Sequence, residues 1–341
     1  MRVAMYYNNN DVRLEEMPKP KIGSTEVLVE VHASGICGSD VMEWYRKQSA
    51  PRVLGHEITG VITEAGKDVD KFKVGDRVFV SHHVPCNTCH YCLNGRHSVC
   101  DTLRTTNYDP GGFAEYIRVP QINVELGVFR LPEGMSMETG VFVEPLACVL
   151  RGQNQLNLRP GNSVLVIGSG ISGLLHIALA KAYGVERIIA TDINDFRLEA
   201  AKKAGADVVL FAKEAEPERL RELNDGRLAD YVILCTGAVS ALKQSYQSCE
   251  RGGSVLLFAP TEPGVEVPTE FFEIWKEGLT INTSYAGSPA DIQASIDLLA
   301  AGRIVVDDMI THTLPLAETQ RGFQLVAQAQ DSIKVIIDPR K

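Results

Sequence analysis

The sequence predicts an α/β chain of two domains, one mostly β and the other a doubly wound parallel sheet. Three observations carry that prediction. At 341 residues the chain is longer than a single core usually supports. Residues 1–150 hold short β-type runs broken by Gly, Pro and Asp. From Arg159-Pro160-Gly161 onward, buried-type strands alternate with amphipathic helices, the rhythm that builds a parallel sheet covered on both faces.

In the first region the clearest strands are Val27–Val31, Ile58–Glu64 and Tyr116–Val119, with turn signals such as Val74-Gly75-Asp76 between them. In the second, strand Val164–Ile167 leads into a helix over Ser172–Tyr183 and then strand Ile188–Thr191. Asp195 reads as the N-cap of a helix running to about Ala204. Strands follow at Val208–Leu210, Tyr231–Leu234, Val255–Phe258 and Leu279–Thr283. The pattern stops after Ala286-Gly287. Ser288-Pro289 then supplies an N-cap with Pro at the first helical position, opening a helix to about Ala301. The tail ends in strand-like Lys334–Ile337, whose partner periodicity does not fix.

Composition is that of a folded soluble protein, 45% hydrophobic and 23% charged. A formal charge of −9 repels phosphate backbones and anionic lipid, which argues against nucleic acid or a membrane surface as partner. The opening MRVAMYYNNNDVRLEE has no apolar segment after its Arg, and no apolar run approaches the roughly 20 residues that cross a bilayer. A cytoplasmic protein is expected. In a reducing compartment, clustered cysteines point to metal or catalysis rather than disulfides, and four of the eight cysteines lie within fifteen residues.

Between a strand and a helix stands Gly168-Ser-Gly170-Ile171-Ser172-Gly173. Gly168 permits a tight turn, Gly170 lets backbone approach a pyrophosphate, and Gly173 lets helix and strand pack closely. The helix N-terminus offers unpaired N–H groups to the anion. A second strand ends in Asp192, about twenty residues after the last glycine, where a carboxylate accepts from a ribose 2′-hydroxyl and repels a 2′-phosphate. The expected cofactor is therefore NAD, bound by a Rossmann-type domain. Arg197 and Thr236 complete the candidate cofactor contacts. As a bare pattern, three glycines are also a tight turn, and Arg197 also a solvated helix residue.

Cys86-x-x-Cys89-x-x-Cys92-x7-Cys100 supplies four thiolates that wrap one tetrahedral ion, and zinc suits four sulfur ligands without redox chemistry. Such a site is closed to substrate and hence structural. An iron–sulfur cluster is the competing occupant. Upstream, Cys37-Gly-Ser39-Asp40 and Gly55-His56-Glu57 offer a thiol, an imidazole and a carboxylate. Three ligands leave zinc an open position, the arrangement a Lewis acid needs to lower the pKa of a bound hydroxyl. Taken singly, a lone Cys is usually core and a His-Glu pair usually structural.

With these residues the chain resembles the zinc-containing medium-chain dehydrogenase/reductase family, in its branch of sorbitol-like (polyol) and threonine dehydrogenases. The resemblance spans the chain and rests on Gly35-Ile-Cys37-Gly-Ser39-Asp40, Gly55-His56-Glu57, the four-cysteine lobe, Gly111-Gly112-Phe113-Ala114-Glu115-Tyr116, Glu144-Pro145-Leu146 and Gly168–Gly173. It implies a GroES-like, mostly β catalytic domain formed by 1–150 and 287–341, with a zinc lobe at about 84–102. It also implies a nucleotide domain over 151–286, a cleft between the two, and a homodimer or homotetramer. Cys37, His56 and Glu57 would hold catalytic zinc, with Glu144 a fourth ligand in some states. Ser39 would take the substrate's proton, and Asp40 would orient His56.

Two positions depart from the branch. Relatives often carry a histidine five residues after the zinc cysteine as the outer end of a proton relay. Here it is Met42, so the proton must leave through water or Glu43. Seven residues after Glu144 stands Arg151, where sorbitol dehydrogenases tend to have His, which counts against sorbitol itself. By resemblance His82-His83 lie near the substrate, where an imidazole suits a hydroxyl-rich or charged compound, and Trp44 and Tyr45 are further pocket candidates. The reading that results is a zinc- and NAD-dependent enzyme oxidising a secondary hydroxyl of a polyol, sugar or related polar alcohol. An amino-alcohol substrate such as L-threonine is the nearest alternative. A zinc-free alkene or quinone reductase and a non-catalytic NAD-binding sensor are more distant ones.

Overall fold

The computed structural model describes all residues, 1–341, and divides into two compact units, Met1–Ala147 with Ala286–Lys341, and Cys148–Tyr285. The sequence pattern placed the changes at 150 and 287.

In the first unit β1 (Arg2–Asn8) lies between β2 (Asp11–Glu16) and β4 (Arg52–Val53). A larger sheet takes in β3 (Val27–Gly35), β5 (Glu57–Ala65), β6 (Arg77–Ser81), β7 (Tyr116–Val119) and β8 (Val128–Arg130). In the second unit β9 (Ser163–Ile167), β10 (Arg187–Asp192), β11 (Val208–Phe211), β12 (Ala229–Leu234), β13 (Cys249–Leu257) and β14 (Thr280–Thr283) form a parallel sheet in the order β11-β10-β9-β12-β13-β14. The order reverses beside β9, the topological switch at which open α/β sheets bind ligands. β15 (Ile310–Pro315) and β16 (Lys334–Asp338) rejoin the larger sheet of the first unit, β16 pairing antiparallel with β3 through Ile336↔Gly35 and Ile337↔Ser34. This gives the tail strand its partner.

Val27, Val29, Val31, Ile58, Ile62, Val78 and Val80 pack one face of the larger sheet into a core, each under 1% exposed. On the other side Tyr6, Ile36, Phe113, Phe323 and Ile337 form a second core, in which Phe323 meets Tyr6 and Phe113 at ring centroid distances of 5.6 and 5.8 Å. The helix that opens at Ser288 has the expected cap: Ser288 Oγ accepts from Asp291 N, and Asp291 accepts from Ser288 N. One cap differs. Asn194, not Asp195, caps the Asp195–Ala204 helix, its side chain accepting from Phe196 N, and Asp195 is the first helical residue, where its charge suits the helix dipole.

Candidate active site

Strand register brings the three candidate metal ligands of the first unit together. Gly35, the last residue of β3, lies opposite Glu57, the first of β5. Cys37 follows that pair and His56 precedes it, so thiol, imidazole and carboxylate converge with their donor atoms within 4.8 Å of one another. Only glycine fits at 35, because a Cβ there would stand 2.1 Å from Glu57 Oε2 and 2.6 Å from Val141 Cγ1. The turn before His56 is pinned by the glycine-rich motif at 111–116: Gly112 N donates to Gly55 O at 2.9 Å and Phe113 N to Leu54 O at 2.9 Å.

Asp40 is fully buried behind this triangle. Its Oδ2 accepts from Cys37 N at 3.0 Å, and its Oδ1 lies 3.3 Å from His56 Nδ1 and 3.5 Å from Arg46 Nη2. Burial opposes its charge, yet His56 and Arg46 outweigh burial and hold the carboxyl below its ordinary range. With Nδ1 committed to Asp40, His56 keeps Nε2 for a metal.

Sequence reasoning missed Lys334. It is 0% exposed, and its Nζ stands 2.6 Å from Glu57 Oε2. Burial disfavours its charge, but Glu57 and Cys37 reverse that and raise its pKa, so the pair is ionic. The available signal was a lysine heading the apolar run Val335-Ile336-Ile337. Arg46 was missed as well. Its Nη2 donates to Ser39 Oγ at 2.9 Å and its Nε to Ser39 O at 2.9 Å. Ser39 is thus held by a group that accepts no proton.

β6 carries the next contributor. Its Ser81 pairs with Glu57, which sets His82 beside His56 at a ring centroid distance of 4.8 Å; His83 follows at 3.8 Å from His82. Asn123 Nδ2 fixes this segment by donating to the carbonyls of Ser81 and His82. Burial, with His83, His56, Arg46 and Arg52 nearby, lowers the pKa of His82 well below its usual value; burial, with His56 and Arg46, brings His83 to about 4. Trp44 is half-buried and Tyr45 exposed on the short helix Glu43–Arg46, their rings 5.8 Å apart. Glu144 lies within electrostatic reach of Lys334 and Tyr108.

The four-cysteine lobe is equally ordered. Cys86, Cys89, Cys92 and Cys100 bring their sulfurs within 4.8 Å of one another, with Cys89–Cys92 at 3.6 Å and Cys86–Cys100 at 3.7 Å. A tetrahedron with zinc–sulfur bonds of about 2.3 Å has edges of about 3.8 Å, so the spacing fits zinc. The amide and hydroxyl of Thr88 and the amide of Cys89 pull the Cys86 thiol down to about 5, the state a metal needs. The mixed sulfur, nitrogen and oxygen set at Cys37, His56 and Glu57 likewise suits zinc.

In the second unit Gly168 follows β9 at φ +93°, and the Ile171–Ala182 helix starts three residues on. A Cβ on Gly173 would lie 1.9 Å from Gly168 O, so helix and turn meet only through glycine. Arg197 Nη1 lies 3.6 Å from the position a Gly170 Cβ would occupy, and Thr236 borders Gly168. Asp192 has a task beyond the one its position suggested. Its oxygens accept from Ser169 N at 2.8 Å, Ile193 N at 2.8 Å and Asn194 N at 3.0 Å, so it ties the glycine turn to the end of β10.

Fold and donor sets together define a zinc-dependent dehydrogenase. The model for the alcohol dehydrogenase GroES-like domain matches residues 23–133, and that for zinc-binding dehydrogenases matches 172–301. An L-threonine 3-dehydrogenase of Bacillus velezensis is 35% identical over 335 residues, covering 96% of this chain and 95% of that protein. A sorbitol dehydrogenase of Bacillus subtilis is 31% identical over 352 residues, covering 100% and 98%. Among solved structures, an Escherichia coli alcohol dehydrogenase complexed with NADH superposes with a TM-score of 0.88 at 28% identity, over 99% of each chain. The chain belongs to the zinc-dependent medium-chain dehydrogenase/reductase family, and is an oxidoreductase of that class.

Proposed function

We propose that this enzyme oxidises a secondary hydroxyl of a polyol, sugar or related polar alcohol to the ketone, with NAD accepting the hydride. The observation that carries this reading is the convergence of Cys37, His56 and Glu57 beside Ser39. The first unit is the catalytic domain and its lobe at about 84–102 a structural zinc site; the second unit binds NAD. Zinc held by Cys37, His56 and Glu57 supplies Lewis acidity toward the substrate oxygen. The protein's own groups do the rest. Asp40 orients His56, while Lys334 fixes one oxygen of Glu57 and offsets its charge. Glu144 serves as an exchangeable fourth ligand.

Arg46 holds Ser39 Oγ by one lone pair, which leaves its O–H and its second lone pair for the substrate hydroxyl. The proton taken by Ser39 leaves to water or Glu43, since neither Met42 nor Arg46 accepts it. His82, neutral and clamped by Asn123, offers a hydrogen bond to a further hydroxyl, and Trp44 forms a wall. In the second unit Gly168, Gly170, Ile171, Ser172 and Gly173 cradle the pyrophosphate, with Arg197 and Thr236 alongside. Asp192 has one lone-pair site beyond its three amide bonds for the ribose, and its charge disfavours NADP.

The similarity to L-threonine 3-dehydrogenases keeps an amino-alcohol substrate as a second reading. Growth of NADH absorbance, when zinc-loaded enzyme and NAD meet a panel of polyols, aldoses, inositols, sugar phosphates and L-threonine, separates the two. Silence across the panel counts against both.

We also propose a cytoplasmic homo-oligomer. The cysteines form no disulfide, and no helix is long and apolar enough to cross a membrane. β14 is an edge strand with Thr280, Ile281 and Thr283 exposed, and the adjacent helix Phe271–Lys276 exposes Phe271, Phe272 and Trp275 by 63 to 73%. A second copy related by a twofold axis pairs such an edge with itself and covers the aromatic face.

A further inference from the structure

Ser39 and Asp40 sit in a single 3-10 turn, Gly38–Val41, and a turn this short has few bonds of its own to hold its place. Its start is closed locally: Asp40 Oδ2 accepts from Cys37 N at 3.0 Å, and Cys37 Sγ accepts from Ser39 N at 3.4 Å. Its end is closed from elsewhere in the sequence. The Val41 carbonyl accepts from Asn9 Nδ2 at 2.7 Å, across 32 residues of chain.

Asn9 lies at the tip of the β1–β2 hairpin, in the run Asn8-Asn9-Asn10. Asn8 serves the tip itself, its Oδ1 accepting from Asn10 N at 2.9 Å. Asn10 is exposed, whereas Asn9 is half-buried. The register of the hairpin shifts between Tyr6 and Asn8, and an irregularity of that kind re-aims side chains. Two further bonds fix Asn9. Tyr6 OH donates to its Oδ1 at 2.9 Å, which leaves the amide nitrogen to face Val41. Gln320 Nε2, on the helix Thr319–Gln328, donates to its backbone carbonyl at 2.8 Å, while Gln320 Oε1 accepts from Val12 N at 2.6 Å. Tyr6 is fully buried against Phe323 of that helix. The same helix meets the residue before Cys37, since a Cβ on Gly322 would stand 2.6 Å from Ile36 Cδ1. Elements from both ends of the chain thus brace the segment that carries Ser39.

Building on the dehydrogenase reading above, we infer that Asn9 is a positioning residue for the proton step: by holding Val41 O it sets where Ser39 stands, two residues back, and so how Ser39 Oγ meets the substrate hydroxyl. Arg46 grips the same serine through its Oγ and its carbonyl. Arg46 therefore governs the hydroxyl, and Asn9 the backbone beneath it. Transfer between positioned groups falls steeply with misplacement, because the reacting atoms must stand about 3–3.5 Å apart and aligned. Asn9 touches no reacting atom; it acts only through the turn.

The test compares the full-length wild type with Asn9→Asp, Asn9→Ala and Asn8→Ala. Asn9→Asp keeps the size and the acceptor for Tyr6 OH, but sets an acceptor against the Val41 carbonyl; Asn9→Ala removes both groups. Asn8→Ala loosens the same hairpin without touching Val41, and so measures a merely structural loss. In the zinc-loaded enzyme with NAD, the probes are a pentitol, an aldose and L-threonine. Both Asn9 variants should lower kcat by about 3- to 10-fold, the range of one hydrogen bond, with KM for NAD and zinc content those of the wild type. Amide hydrogen exchange in the metal-free protein gives a readout without turnover: exchange across 36–46 should quicken in both Asn9 variants and not in Asn8→Ala. An equal loss of kcat in all three variants, or wild-type exchange across 36–46 in the Asn9 variants, overturns the inference. A wild type that forms no NADH with any probe counts against the dehydrogenase reading instead, and the exchange result still decides whether Asn9 sets the turn.

Discussion

Lys334 Nζ and Glu57 Oε2 are 2.6 Å apart, both side chains all but fully buried, in strands separated by 277 residues of sequence. The pair ties the last strand of the chain to the carboxylate that completes the three-donor set. Charge neutralisation there leaves Glu57 able to face a dication while its second oxygen is fixed.

Lys334→Met is therefore expected to destabilise the protein by about 3–5 kcal/mol, because it strands a buried carboxylate. Denaturant unfolding of the apo-protein measures this. Adding Glu57→Gln should recover much of the loss without restoring zinc at this site, since the cost lies in the unpaired charge. Additive losses in the double variant would show that the two residues do not act as a pair.

Asp192→Ser is expected to lower the NAD-to-NADP ratio of kcat/KM, because it removes the charge that opposes a 2′-phosphate. Affinity for both cofactors should fall as well, since Ser169 N, Ile193 N and Asn194 N lose their shared acceptor. An unchanged ratio contradicts the assignment of this carboxylate to the ribose.

His176 is completely buried in the second unit, with Gln153 Nε2 3.1 Å from its Nδ1 and the Phe258 ring at 4.6 Å. Burial lowers its pKa to about 3, against 6.5 for a free imidazole. As pH falls below 6.5 the unfolded chain takes up a proton that the folded one refuses. The contribution is present above 6.5 and is lost progressively down to about 3, amounting to a few kcal/mol. His176→Leu should flatten the dependence of unfolding free energy on pH across that window. Parallel curves for variant and wild type would argue against a buried neutral imidazole.

Trp275→Glu, best combined with Phe271→Asp, is expected to convert the oligomer to monomer in light scattering without loss of secondary structure. Both side chains are mostly exposed in the single chain, so the folded monomer has no need of them. A wild type that is already monomeric sinks the proposal.

Local pattern made much of this legible. Gly168, Gly170 and Gly173, the cysteine spacing, and the strands read at Tyr116–Val119 and Val208–Leu210, the second of which runs one residue further to Phe211, each announce themselves within a few residues. Lys334 and Arg46 were hidden for a different reason: their roles come from partners far along the chain or across a turn, and no periodicity encodes which acid a lysine will meet. The cap at Asn194 escaped because Asp and Asn both suit that position, and only backbone geometry chooses between neighbours. For Asp192, spacing gave only the expectation of a ribose contact, whereas its bonds to three amides depend on how the glycine turn folds back.

The central claim is that Cys37, His56 and Glu57 hold a catalytic zinc separate from the zinc of the cysteine lobe. Zinc per chain, measured together with NADH formation in wild type and Cys37→Ser, tests it most directly. Two zinc ions in the wild type, and one with no NADH formed in the variant, is the predicted result; two zinc ions with undiminished turnover in Cys37→Ser would contradict it.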